Sequence, residues 1–256
     1  MPKEKIRLDA YLIKHELCDG EKHALSLILS GSVLINDTPI FKPGTLVKPN
    51  DKIRLREVIK QYVSRGAWKL LGAFSSFPDL SVKDKLCFDF GASTGGFTQV
   101  LLEKGASRIF AIDVGYGLLS QRIANDPKVT VLDRTHIKDL NWDLLPRESS
   151  VFICMDLSFI SLSSVFPTIT RLANESCETA WEGVSLVKPQ FELDSNFLVK
   201  GIVTDPKLLG RSIISVWRKI RKQDPTFRCL GLAESPIQGA DGNREFLLRW
   251  KKEKIK

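Results

Sequence analysis

The chain has 256 residues, 43% of them hydrophobic, and a formal net charge of +8. That apolar share supports a packed core and excludes a disordered chain. The excess of cations favours a polyanionic partner, nucleic acid or an anionic membrane surface.

The five cysteines, Cys18, Cys87, Cys154, Cys177 and Cys229, are scattered and form no CxxC pair. This argues for a reducing compartment and against a structural metal. Residues 1–8 are charged and lack a signal-peptide core. No run approaches the roughly 18 apolar residues of a membrane span. The expectation is a cytoplasmic protein without a metal, a membrane anchor or an obligate protein partner.

Residues 1–57 read as a small α+β unit, 58–63 as a linker and 64–256 as a larger domain. In the first unit, Arg7 to Glu16 and Glu21 to Leu29 have helical periodicity, and Gly31 stands where a helix would be capped. Short strands follow at Val33 to Ile35 and Lys52 to Arg56, with a turn at Asn36-Asp37. Arg7, Lys14 and Lys22 are basic side chains of this unit, and Arg65 lies beyond the linker. Lys219, Arg221, Lys222 and the tail lysines 251, 252, 254 and 256 are further cations that could meet phosphates. Trp68 could stack on a base.

From Ser64 the texture alternates. A helix over Ser64 to Phe77 precedes strands at Leu86 to Phe90, Arg108 to Asp113, Val129 to Asp133, Val151 to Asp156 and Gly183 to Lys188. Helices are expected at Phe97 to Lys104, Leu118 to Asn125, Leu162 to Leu172 and Pro206 to Lys222. Such apolar strands alternating with helices predict an α/β fold with a parallel sheet covered on both faces. Phe227 to Glu234 and Arg244 to Trp250 predict an antiparallel hairpin at one edge.

The loop after the first of these strands, Gly91-Ala92-Ser93-Thr94-Gly95-Gly96-Phe97, opens a helix at the ligand-binding edge of such a sheet. Its spacing does not fit G-x-G-x-x-G, and it has no P-loop lysine. Asp113 follows about twenty residues later, where an acid can accept ribose hydroxyls. Asp133 ends the third strand, where an acid could bond an adenine amino group. Glycine loop, acid and acid suit S-adenosylmethionine, an adenosine without phosphate. Gly91, Ser93, Thr94, Gly95, Gly96, Phe97, Asp113, Asp133 and Asp156 are therefore the expected cofactor contacts.

Four charged residues converge on the same edge. Asp156 and Lys188 end parallel strands, Glu245 begins the antiparallel one, and Lys69 lies on the preceding helix. Transfer of a methyl group to a hydroxyl needs close in-line approach and a receiver or stabiliser for the hydroxyl proton. A lysine with a lowered pKa can serve as that base, or a charged one can stabilise an alkoxide.

These motifs carry a family resemblance. Arg7-Leu8-Asp9-Ala10-Tyr11-Leu12 and residues 24–36 resemble the alpha-L RNA-binding module, although Gly20-Glu21-Lys22 stands where that module often has Ser-Arg. This resemblance implies Arg7, Lys14, Lys22 and Arg65 as candidate RNA contacts. The order Lys69, Asp156, Lys188, Glu245 resembles the tetrad of FtsJ-like ribose 2′-O-methyltransferases. Six motifs in order are similar to the TlyA-type, or hemolysin A, branch. They are residues 64–70, 91–98, 113–117, 156–161, 186–192 and 242–246. The resemblance implies a Rossmann-like seven-stranded methyltransferase sheet and a cytidine ribose in ribosomal RNA, alone or in ribosomal subunits, as substrate. It implies Lys69, Asp156, Lys188 and Glu245 as catalytic residues. Asp133-Arg134-Thr135-His136 departs from the family's frequent Glu-Arg-Thr-Asn. The alternatives are a non-catalytic RNA-binding assembly factor and a membrane-lytic hemolysin.

Overall fold

The computed structural model describes residues 6–18, 20–29, 31–55, 62–141, 150–176 and 180–252, apart from the side chains of Lys22 and Ser26. Most of the expected linker, together with Cys177, Lys254 and Lys256, lies outside the described residues. The chain divides into two compact units, residues 1–61 and 62–256.

In the first unit β1 (Ile6–Arg7) leads into α1 (Leu8–Lys14), and α2 (Glu21–Leu29) follows. Then come β2 (Val33–Ile35), β3 (Thr38–Pro39), β4 (Leu46–Val47) and β5 (Ile53–Leu55). The strands pair as β3-β2-β5 and β1-β4. Leu8, Leu12, Ala24, Ile28, Val33 and Val47 form its core. Asn36 and Asp37 both have positive φ, 50° and 66°, the left-handed backbone of a tight hairpin turn.

The second unit contains α3 (Gly66–Ser76), β6 (Leu86–Phe90), α4 (Gly96–Glu103), β7 (Arg108–Ile112), α5 (Gln121–Ala124) and β8 (Val129–Leu132). It continues with β9 (Ser150–Met155), α6 (Phe166–Glu175), β10 (Ala180–Val187), α7 (Pro206–Gln223), β11 (Phe227–Glu234) and β12 (Phe246–Lys252). The seven strands lie in the order β11-β12-β10-β9-β6-β7-β8. Strands β6 to β10 are parallel and β12 runs antiparallel to both its neighbours. This is the Rossmann-like methyltransferase sheet with its edge hairpin.

Alternation along β6 sends Phe88 and Phe90 to one face and Cys87 to the other. The first face packs on α6 and α7 through Phe166, Val216 and Ile220. The second packs on α3 and α4 through Ala67, Leu70, Phe97 and Val100. Because β12 runs against β10, its start lies beside the carboxyl ends of the parallel strands, with Phe246 opposite Val187.

Some expected elements differ. The helix predicted over Leu162 to Leu172 is a 3-10 turn at Leu162–Ser164 followed by α6, whose first turn contains Pro167. Proline lacks the N–H needed to continue a helix but is tolerated in a first turn, so it marks a restart. Cys87 and Cys154 are buried as expected, but Cys229 is exposed beside a bulge in edge strand β11.

Candidate active site

The site grows from the turn after β6. Gly91 has φ +82°, and a Cβ there would come 2.8 Å from the Asp156 carbonyl oxygen at the end of β9. Only glycine accepts both the backbone conformation and that approach. A Cβ on Gly96 would overlap Ser64 Oγ, so this second glycine lets the start of α3 lie against α4. The Asp113 carboxylate then straps the turn to the end of β7. Its Oδ2 accepts from Ser93 N and its Oδ1 from Gly115 N, each at 2.8 Å.

Two cavities open over this edge. One, of about 500 Å³, has Asp113 on its wall among Val114, Leu118, His136, Ile137 and Ile160. The other, of about 640 Å³, is walled by Lys69, Lys188, Glu245, Thr94, Gly96 and Phe97 among others. Gly91, Ser93, Asp156, Ser158 and Phe159 line both, so the cavities meet at Asp156.

Two expected cofactor contacts fall elsewhere. Gly95 caps α4 and lines neither cavity. Asp133 also lines neither, because its Oδ2 accepts from Gly117 N at 2.9 Å. Arg134 has a left-handed backbone, φ +51°, which turns the chain so that Thr135 and His136 reach the cavity instead.

The four charges do come together. Lys69 Nζ lies 3.0 Å from Asp156 Oδ2 and 2.8 Å from Glu245 Oε2. Lys188 Nζ lies 2.7 Å from Asp156 Oδ1 and donates to Ser158 Oγ at 2.9 Å. Glu245 stands one residue before β12, not within it. Burial works against the Lys69 charge, but Asp156 and Glu245 outweigh it and hold the ammonium above its ordinary pKa. Burial likewise opposes ionisation of Asp156, and Lys188 with Lys69 reverses that and lowers its pKa. Gln190 Oε1 is a buried acceptor without a hydrogen-bond partner among the described residues, whereas Asp156 Oδ1 and Glu245 Oε2 are held by the two lysines. All three residues line the larger cavity, and Gln190 Oε1 is left there to accept from a donor.

Residues 62–252 match the family model described as FtsJ-like methyltransferase. The chain belongs to the FtsJ-like methyltransferases.

Within that family it is a TlyA-type member. It is 39% identical to the 16S/23S rRNA (cytidine-2′-O)-methyltransferase TlyA of Mycobacterium tuberculosis, over 95% of this chain and 89% of that one. It is 36% identical to hemolysin A of Brachyspira hyodysenteriae, over 94% and 98% of the two chains. A solved structure from Streptococcus thermophilus, described as a candidate hemolysin, superposes with a TM-score of 0.67 at 32% identity. That match covers 97% of this chain and 88% of the other. Among the described residues, no helix of this FtsJ-like methyltransferase is long and apolar enough to cross a membrane.

Residues not singled out from sequence complete the site of this TlyA-type chain. Ser158 lies two positions after Asp156, a spacing that in hindsight marks a second polar group at the same strand end. Glu192 accepts from Ser161 Oγ at 2.6 Å and from Leu162 N at 2.7 Å. It thereby ties the loop after β9 to the loop after β10. Phe159 is 88% exposed at the rim and packs on Phe191, with ring centroids 5.3 Å apart. Behind the site, Asp89 is fully buried and bonded by Thr98 Oγ1 at 2.6 Å. Burial pushes its carboxyl up to about 7.

The candidate RNA contacts are unequal. Arg7 is exposed, but its Nη2 is paired with Asp9 Oδ2 at 2.6 Å. Lys14 is exposed, and the Lys22 side chain lies outside the description. Arg65 is exposed at the mouth of the larger cavity, with Nη2 donating to the Gln238 carbonyl at 3.3 Å. Trp68 is half-exposed beside Tyr62 in an adjoining groove. Lys252 does not face solvent. It is buried and paired with Asp224 at 2.6 Å. The Arg221 guanidinium is bonded to the Phe227 carbonyl.

Proposed function

We propose that this chain transfers a methyl group from S-adenosylmethionine to a ribose 2′-hydroxyl of ribosomal RNA, a cytidine ribose by analogy with the Mycobacterium relative. The observation that carries the reading is the meeting of two cavities at Asp156, one walled by Asp113 and the other by Lys69, Lys188 and Glu245.

The smaller cavity fits the adenosyl part of the donor. It offers apolar walls for a flat ring, and a carboxylate whose remaining lone pairs can accept ribose hydroxyls. Gly91, Ser93 and Asp156 would carry the junction, with Thr94, Gly96 and Phe97 on the far side. Bound there, the donor supplies an electrophilic sulfonium methyl. The larger cavity, with the lysine-paired carboxylates of Asp156 and Glu245 and the free Gln190 Oε1 on its wall, suits the hydroxyl that receives it.

As the new O–CH₃ bond forms, the S–CH₃ bond would break with its electron pair left on sulfur as a neutral thioether, and the hydroxyl proton is released. Lys188 is the group assigned to receive that proton or to stabilise the developing alkoxide. Asp156 and Glu245 orient the two ammonium groups. Lys69, held charged by both carboxylates, positions and neutralises and is not the base. Fixing donor and hydroxyl in line supplies much of the rate advantage.

Residues 1–57 serve as an alpha-L type RNA-binding domain, presenting Arg7, Lys14 and Lys22, with Arg65 at the cavity mouth. The substrate is ribosomal RNA within ribosomal subunits in the cytoplasm. The test is incorporation of labelled methyl groups into purified subunits. The wild type should transfer them and Lys188→Ala should not, while donor binding by the variant persists. Retained turnover in Lys188→Ala would refute the assignment.

A further inference from the structure

Helix α7 carries six cations, Lys207, Arg211, Arg218, Lys219, Arg221 and Lys222, and no acidic residue. Its inner face is Leu209, Ser212, Val216 and Ile220. At 100° per residue, Lys207, Arg211, Arg218 and Lys222 fall within one narrow outer stripe, and all four are exposed. The stripe is about 22 Å long at 1.5 Å per residue.

Two exposed cations elsewhere in this unit are neutralised by their own fold. On the neighbouring helix α6, Arg171 pairs with Glu175 at 3.1 Å, and Arg244 in the hairpin pairs with Glu234 at 2.6 Å. None of the four stripe residues has an ion-pair partner among the described residues. Among the described residues, their charge is open to an outside partner.

The segment leading into α7 lies at the larger cavity. Gly201 lines the larger cavity, and Asn243 Nδ2 donates to its carbonyl at 2.9 Å. Asn243 Oδ1 accepts from Val203 N at 3.1 Å, three residues before α7 starts. Asn243 itself lies two positions before Glu245. One side chain thus fixes the head of the basic helix beside the tetrad.

We infer that the outer face of α7 is a phosphate track that holds the RNA strand leading away from the target nucleotide. The partner is a nucleic-acid backbone, read by charge and not by base sequence. This rests on the RNA reading proposed above.

The test uses the full chain and purified ribosomal subunits. Two double variants, Lys207→Gln with Arg211→Gln and Arg218→Gln with Lys222→Gln, are compared with the quadruple variant. All four positions are exposed, and melting temperature checks the fold. Binding is followed across a salt series. Each lost phosphate contact removes roughly 0.7–0.9 from the slope of log affinity against log salt. The quadruple variant should lose about 3, and each double variant about half of that. The KM for subunits should rise at least ~10-fold, with saturating kcat and donor affinity unchanged.

An unchanged slope and KM in an active quadruple variant would overturn the track. So would retained subunit affinity with lost binding to phosphatidylserine vesicles, which would assign the stripe to a membrane. If the wild type itself neither binds nor methylates subunits, the underlying RNA reading fails, a result distinct from either.

Discussion

Gly91 and Asp156 are in backbone contact: a methyl group on the glycine would stand 2.8 Å from the aspartate carbonyl oxygen. The turn that lines both cavities and the strand end that presents the central carboxylate are therefore one mechanical unit. Gly91→Ala should disturb both. Alanine in left-handed backbone costs about 1–2 kcal/mol before the clash is counted. The expected result is a fall in melting temperature of at least ~3 °C together with weaker donor binding and slower turnover. Unchanged donor affinity, measured by calorimetry, would contradict the coupling.

Glu245 has one ion-pair partner among the described residues, Lys69, whereas Asp156 has two. Lys69→Met should therefore strand a carboxylate whose side chain is 3% exposed. Breaking a buried pair from one side costs about 3–5 kcal/mol. Lys188→Met leaves Asp156 with Lys69 and should cost less stability while losing more activity. Adding Glu245→Gln to Lys69→Met should restore much of the melting temperature and none of the turnover. A larger thermal loss in Lys188→Met than in Lys69→Met would reverse the roles.

The structure explains why some of this was legible in sequence and some was not. Strands β6 and β11 and helix α2 have the expected ends, because each is an apolar pattern closed by turn or capping residues. The convergence of these four charges was readable because Asp156, Lys188 and Glu245 sit beside strand ends, where topology decides the edge, and Lys69 lies in the first turn of α3. Asp133 lines neither cavity, and its carboxylate accepts from Gly117 N, a loop contact that no periodicity announces. The helix expected over Leu118 to Asn125 is observed only at Gln121–Ala124, and Leu118 lies outside it on the wall of the smaller cavity. The two-residue strands β1, β3 and β4 are too short to leave any pattern.

The buried Asp89 carboxyl gives a pH signature. Its pKa rises from 3.8 in the open chain to about 7 in the fold, with burial the main cause. Below pH 3.8 both states hold the proton and the group is neutral in its effect. As pH climbs towards 7, the unfolded chain ionises first and wild-type stability is drawn down. Asp89→Asn escapes this loss. Its melting temperature relative to wild type should rise steadily between pH 4 and pH 7, measured by calorimetry. A flat or falling difference would mean that Asp89 is ionised in the fold.

Asp113 is assigned two tasks, strapping the glycine turn and accepting ribose hydroxyls. Asp113→Ala should weaken donor binding at least ~10-fold, since a hydrogen bond to a charged group contributes about 1.5–3 kcal/mol. The fold should survive, because the strand cores on either side do not depend on it. Asp133→Ala should leave donor affinity within about twofold, because its carboxylate faces Gly117 and not the cavity. Calorimetric titration of both variants separates the two aspartates. Equal losses would put Asp133 back in the donor site.

The most direct measurement concerns which atom is methylated. Ribosomal subunits are incubated with the protein and methyl-labelled donor, and their RNA is hydrolysed in alkali. Cleavage needs a free 2′-hydroxyl, so a methylated ribose leaves its label in a dinucleotide that survives. The account predicts labelled, alkali-resistant dinucleotides with wild type and none with Lys188→Ala. Label recovered only in mononucleotides, or only in ribosomal protein, would contradict it.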